Sequence, residues 1–90
     1  MITVRFPPHL KRFIDLPEEF SSDAESIPEI LAQLESRFPG VSGYIVHENG
    51  SLRQHVNLFL DNRVVTDRES LSDDLTGVKE LVIMQALSGG

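Results

Sequence analysis

The sequence predicts an α+β domain, a mixed four- or five-stranded sheet with one main helix packed across its apolar face. Three observations predict it. Apolar residues alternate with polar ones at Ile2, Val4 and Phe6, at Val56, Leu58 and Leu60, and at Leu81 and Ile83, as in strands with one buried face. Ile27, Ile30, Leu31, Leu34 and Phe38 recur at the spacing of one helical face. A single helical stripe needs an apolar partner surface, and the strand residues supply it.

From the N-terminus, Ile2 to Phe6 reads as a half-buried strand, ended by Pro7-Pro8 because neither proline donates to a ladder. A second extended segment is expected over Lys11 to Leu16, with a loose turn around His9 and Leu10. Pro17 to Ser26 is polar with few apolar anchors and reads as connection. The helix begins at Ile27, with Ser26 as N-cap, Pro28 in the first turn and Glu29 completing a capping box; Pro39-Gly40 stops it. Gly43 to Leu52 is open: Tyr44-Ile45-Val46 suits a short strand, and Asn49-Gly50 is a hairpin-turn dipeptide returning the chain into Leu52 to Leu60. Asp61-Asn62 turns into a short strand Arg63-Val64-Val65. Leu71 and Leu75, four apart, suggest one helical or 3₁₀ turn under the core. The last strand runs from Glu80 to Gln85 or Ala86. Placing the first and last strands side by side in the middle spares either from exposing a long apolar edge.

Ninety residues hold one core. The expected division is a domain over 1–86 and a bendable tail over 87–90. Fourteen Asp and Glu against eight Lys and Arg give a formal charge of −6, which disfavours nucleic-acid backbones and anionic membranes. That charge favours a partner with a basic docking face, or simply keeps a small domain soluble. Met1 to Phe6 is too short and polar for a signal segment, and no run is long enough to cross a bilayer, so a cytoplasmic protein, monomeric when free, is expected.

Residue types for autonomous catalysis are sparse. The chain has no cysteine, and His9, His47 and His55 lack the short spacing of a metal motif. Neither a Gly-x-Ser-x-Gly elbow nor a glycine-rich phosphate loop occurs. Adjacent carboxylates at Glu18-Glu19 and Asp73-Asp74 point apart in regular structure. No catalytic residue, metal site or bound cofactor is therefore expected. Phe59, Val82 and Met84 fall on the parity opposite the core residues, which makes them a candidate docking patch or ordinary scattered exposure.

The chain closes on Leu87-Ser88-Gly89-Gly90. A bare carboxylate resists nucleophiles, but activation with ATP as an acyl-adenylate gives the Gly90 carbonyl a good leaving group for sulfide, a persulfide or another nucleophile. Gly89 and Gly90 carry no side chain and suit threading through a narrow channel. Ser88 is small, and Leu87 offers an anchor at the base of the tail.

These features resemble a family, the ubiquitin-like sulfur carriers of the MoaD/ThiS type. The likeness is carried by Thr3-Val4-Arg5-Phe6, by Ile27-Pro28-Glu29-Ile30-Leu31-Ala32-Gln33-Leu34, by His55-Val56-Asn57-Leu58-Phe59-Leu60-Asp61-Asn62, and by Met84-Gln85-Ala86-Leu87-Ser88-Gly89-Gly90. Asn49-Gly50-Ser51-Leu52-Arg53-Gln54-His55 looks most like carriers serving a cysteine-synthase route. The resemblance implies a β-grasp fold and adenylation of Gly90 by a ubiquitin-activating-type adenylyltransferase/sulfurtransferase that uses ATP. It also implies a Gly90 thiocarboxylate that gives its sulfur to a biosynthetic enzyme of a molybdopterin, thiamine or cysteine route. The alternative is a ubiquitin-like modifier, or an interaction module that never forms an acyl intermediate.

Overall fold

The computed structural model describes residues 1–85, His9 by its backbone only. Strand β1 (Ile2–Arg5) leads into a 3₁₀ turn over Pro8–Arg12 and then β2 (Glu19–Ser22). Helix α1 (Ile27–Arg37) and the single-turn α2 (Ser42–Ile45) come next, then β3 (Val56–Leu60), β4 (Arg63–Val64) and β5 (Glu80–Gln85). The five strands form one sheet in the order β2-β1-β5-β3-β4. β1 and β5 run parallel in its interior, and the other pairs are antiparallel.

The core lies between the sheet and α1. Ile27, Ile30, Leu31 and Leu34 on the helix join Ile2, Val4, Leu58, Leu60, Leu81 and Ile83 in one buried cluster. Hydrophobic burial along that stripe stabilises both layers together. Ser26 caps α1 as expected, its hydroxyl accepting from the Glu29 N–H at 3.3 Å and donating to the Glu29 carboxylate at 3.0 Å. At the far end the Glu35 carboxylate accepts from the Gly40 and Ser42 N–H groups and the Ser42 hydroxyl, tying α1 to α2. The Gly40 N–H first, and Ser42 next, hold Glu35 below the usual carboxylate range.

Four segments differ from the sequence expectation. Lys11 to Leu16 is not a strand. The chain tightens into the 3₁₀ turn over Pro8–Arg12, and buried Leu10 and Leu16 with half-buried Ile14 imitate a period of two. The second strand lies instead at Glu19–Ser22, inside the stretch read as connection. Its two inward positions, opposite Val4 and Ile2, are Phe20 and Ser22, so only one is apolar. Ser22 is nonetheless 1% exposed, its hydroxyl donating to Gln33 on α1 at 2.6 Å and accepting from the Ala24 N–H. A hydrogen-bonded serine replaces the apolar residue that alternation looks for.

Tyr44-Ile45 sits in α2 rather than a strand, and Val46 meets Leu52 in an isolated bridge. Asn49-Gly50 turns the chain between them, with Gly50 at φ 91° and the Asn49 side chain accepting from Ser51. Leu71 and Leu75 are both buried, but no helix joins them. One turn closes ahead of Leu71, whose N–H donates to the Asp67 carbonyl at 3.0 Å. Asp61 takes a left-handed φ of 58°, and its carboxylate accepts from the Glu80 N–H at 3.0 Å, fastening the β3–β4 turn to the start of β5.

Candidate functional site

The sheet face turned away from α1 carries the candidate site. β3 and β5 pair from Val56 opposite Gln85 to Leu60 opposite Leu81. Leu58, Leu60, Leu81 and Ile83 enter the core, so the residues between them project outward. Phe59 lies directly opposite Val82, and Met84 opposite Asn57. The structure thus brings Phe59, Val82 and Met84 together on adjoining strands. Phe59 and Val82 are half-buried, and Met84 is 49% exposed.

The register extends this group. Glu19, Arg5, Val82, Phe59 and Val64 form one row across all five strands. Val64, 45% exposed, adds an apolar residue that the sequence reading leaves out. The signal is present in Arg63-Val64-Val65: Val65 is buried, so Val64 points the other way.

Each flank of the apolar centre is charged or polar. On the β1 side, Arg5 donates through Nε to Glu80 and lies 3.4 Å from Glu19. Its hydrogen bond to Glu80, then the charges of Glu80 and Glu19, raises an already high pKa. These groups are about half exposed, so the pairing shapes the rim more than it stabilises the fold. On the β3 side, Arg68 donates to the Asn57 side-chain oxygen at 2.5 Å and to the Arg53 carbonyl at 2.7 Å. Eleven residues separate Arg68 from Asn57, and no local pattern announces the contact. A further exposed pair, Phe13 and Tyr44, stacks with centroids 5.7 Å apart and has no sequence signature either.

Leu87, Ser88, Gly89 and Gly90 lie outside the described residues. The strand leading to them is described, and Met84 stands one residue before its last member, Gln85. The apolar patch therefore adjoins the root of the terminal segment. Among the described residues, no three His, Asp or Glu side chains gather as a metal ion would require. No helix among them is long and apolar enough to cross a membrane.

A family model described as the ThiS family matches residues 4–90. The chain belongs to the ThiS family. It is a sulfur carrier of that ubiquitin-like group, and the match runs from β1 through the final glycine. The fold is similar to a chain in the crystal structure of the Amycolatopsis orientalis BexX/CysO complex, with a TM-score of 0.84 and 23% identity over the whole of both chains. The ThiS-family chain is accordingly a β-grasp domain. No curated protein matches it in sequence.

Proposed function

We propose that this ThiS-family chain carries sulfur on the carboxyl group of Gly90. The observation that supports the reading most is the family match extending to residue 90, where a side-chain-free Gly-Gly lies beyond the central strand. The Gly90 carboxylate attacks the α-phosphorus of ATP within a ubiquitin-activating-type enzyme, expelling pyrophosphate and forming an acyl-adenylate. Sulfide then attacks the carbonyl carbon, AMP leaves, and a thiocarboxylate remains. With a persulfide donor the product is an acyl disulfide, which a second thiol cleaves to the same thiocarboxylate. The thiocarboxylate sulfur attacks an electrophile held by a biosynthetic enzyme, and hydrolysis of the resulting thioester returns the carboxylate.

In this scheme the carrier supplies the reacting acyl group, and its partners supply the nucleotide site and catalytic side chains. Phe59, Val82 and Met84 seat the partner, while Leu87, Ser88 and Gly89 thread toward its centre. The patch is small and adaptable, as Met84 beside an aromatic ring permits, and suits successive partners rather than a permanent one. A cysteine-forming enzyme is the favoured acceptor, supported by the likeness of Asn49 to His55 to carriers of that route and by the CysO complex of similar fold. That structure, solved as a complex with BexX, also supports a domain of this shape working with a partner protein.

Intact-mass spectrometry tests the proposal. The carrier is incubated with ATP, sulfide and the cognate activating enzyme. A gain equal to one sulfur replacing one oxygen is expected. An unchanged mass under conditions where that enzyme consumes ATP with the carrier overturns the sulfur-carrying reading and favours a modifier or non-covalent module.

A further inference from the structure

We propose that Arg68 is a charge-reading contact on the docking face, where its guanidinium receives a carboxylate from the protein seated on Val82, Phe59 and Met84. The inference rests on the docking role assigned above and adds the chemistry of the partner's contact.

Its placement comes from two neutral oxygens. Arg68 donates to the side-chain oxygen of Asn57, which projects outward opposite Met84, and to the carbonyl of Arg53 in the approach to β3. The Leu52 N–H donates to the Arg68 carbonyl at 2.7 Å, so backbone and side chain are both held. The surrounding loop is braced by carboxylates turned on its own backbone. Asp67 accepts from the N–H groups of Glu69, Ser70 and Ser72, and Asp73 from those of Thr66 and Asp67. The guanidinium is thereby pre-positioned at the edge of the apolar patch.

Its charge, unlike its position, is not used by the contacts that hold it. Carboxylates outnumber cations fourteen to eight in this chain. Among the described residues only Arg5, on the same face, with two of them, and Lys11, with Glu18, have a carboxylate within salt-bridge distance. Arg68 is one of six cations without such a carboxylate among the described residues, and of these it alone is half-buried and hydrogen-bonded to an outward side chain of the sheet. Both acceptors are neutral oxygens, so neither bond offsets the cost of partly desolvating a full positive charge. Two of the five guanidinium N–H groups suffice for these bonds, which leaves three donors for a charged acceptor. The complementary partner surface is an apolar centre with an Asp or Glu opposite Arg68.

The test measures association of the full chain with immobilised cognate adenylating enzyme, alongside thermal unfolding of each carrier variant. Arg68→Gln is expected to weaken binding roughly 10-fold, as loss of an interfacial charged hydrogen bond does. Asn57→Asp is the second variant, because it supplies the carboxylate from within and occupies Arg68 while keeping it in place. Its expected result is an unchanged or higher melting temperature with affinity again lowered about 10-fold. A purely structural Arg68 would leave affinity unmoved in that variant. Phe59→Asp runs in the same assay. If it abolishes binding while Arg68→Gln and Asn57→Asp bind as the parent does, the charge contact is overturned and the docking face stands. If all three bind as the parent does, both are overturned.

Discussion

Asp67 shows how a single exposed carboxylate can organise a loop. The Ser70 N–H, then the Ser72 hydroxyl, with the Ser72 and Glu69 N–H groups, lower its pKa to about 2 against the opposing cost of desolvation. Because the folded value lies below the ordinary carboxylate value, its contribution to stability is complete above about pH 4 and is lost as pH falls toward about 2. Asp67→Asn should therefore melt below the parent at neutral pH, with the gap closing toward the acid end. A gap of constant size from neutral pH to about pH 2 would assign the carboxylate no such role. At the proposed docking face, Phe59→Asp or Met84→Asp should raise the dissociation constant for the activating enzyme by about 10-fold or more while barely moving the melting temperature. Unchanged constants in both variants would remove the patch from the mechanism. The outward parity of Phe59, Val82 and Met84 is readable from their neighbours, because Leu58, Leu60, Leu81 and Ile83 declare the inner face. Arg68 is not readable, since its partners Asn57 and Arg53 meet it only once β3 and the loop beyond β4 are in place.

At the scale of elements, legibility depends on how much apolar residue each one buries. α1 announces itself because Ile27, Ile30, Leu31 and Leu34 are all buried on one stripe, and its cap lies in the adjacent residues. β3 and β5 do so because each alternates cleanly. β2 does not, because Ser22 takes a core position through hydrogen bonds rather than hydrophobic burial. Lys11 to Leu16 misleads for the converse reason: a 3₁₀ turn and an extended chain can bury the same Leu10, Ile14 and Leu16. If Leu10 plugs the core from that turn, Leu10→Ala should destabilise the domain by about 3 kcal/mol in denaturant unfolding. A loss near that of an exposed position, under about 0.5 kcal/mol, would show the turn to be loosely attached. Ser26→Ala should cost about 1 kcal/mol by removing the cap of α1.

At the scale of the whole molecule, the proposed scheme separates folding from chemistry. The core cluster draws on residues from Ile2 to Ile83, whereas the proposed reacting atom belongs to Gly90. The domain holds β5 in the interior of the sheet and sets the apolar patch beside the last residues of that strand. In the proposed scheme it thereby delivers the terminal glycines to another protein's active site. The sequence makes this division visible at Gly89-Gly90 and through the family likeness. Only the assembled sheet shows that Val64 and Arg68 border the same patch. The most direct measurement is the C-terminal fragment mass of the parent and of a form lacking Gly90, each treated with ATP, sulfide and the activating enzyme. Sulfur in place of oxygen is expected on Gly90 of the parent, none in the shortened form, and equal melting temperatures for both. Sulfur found elsewhere in the chain, or retained at full yield without Gly90, would contradict the proposed scheme.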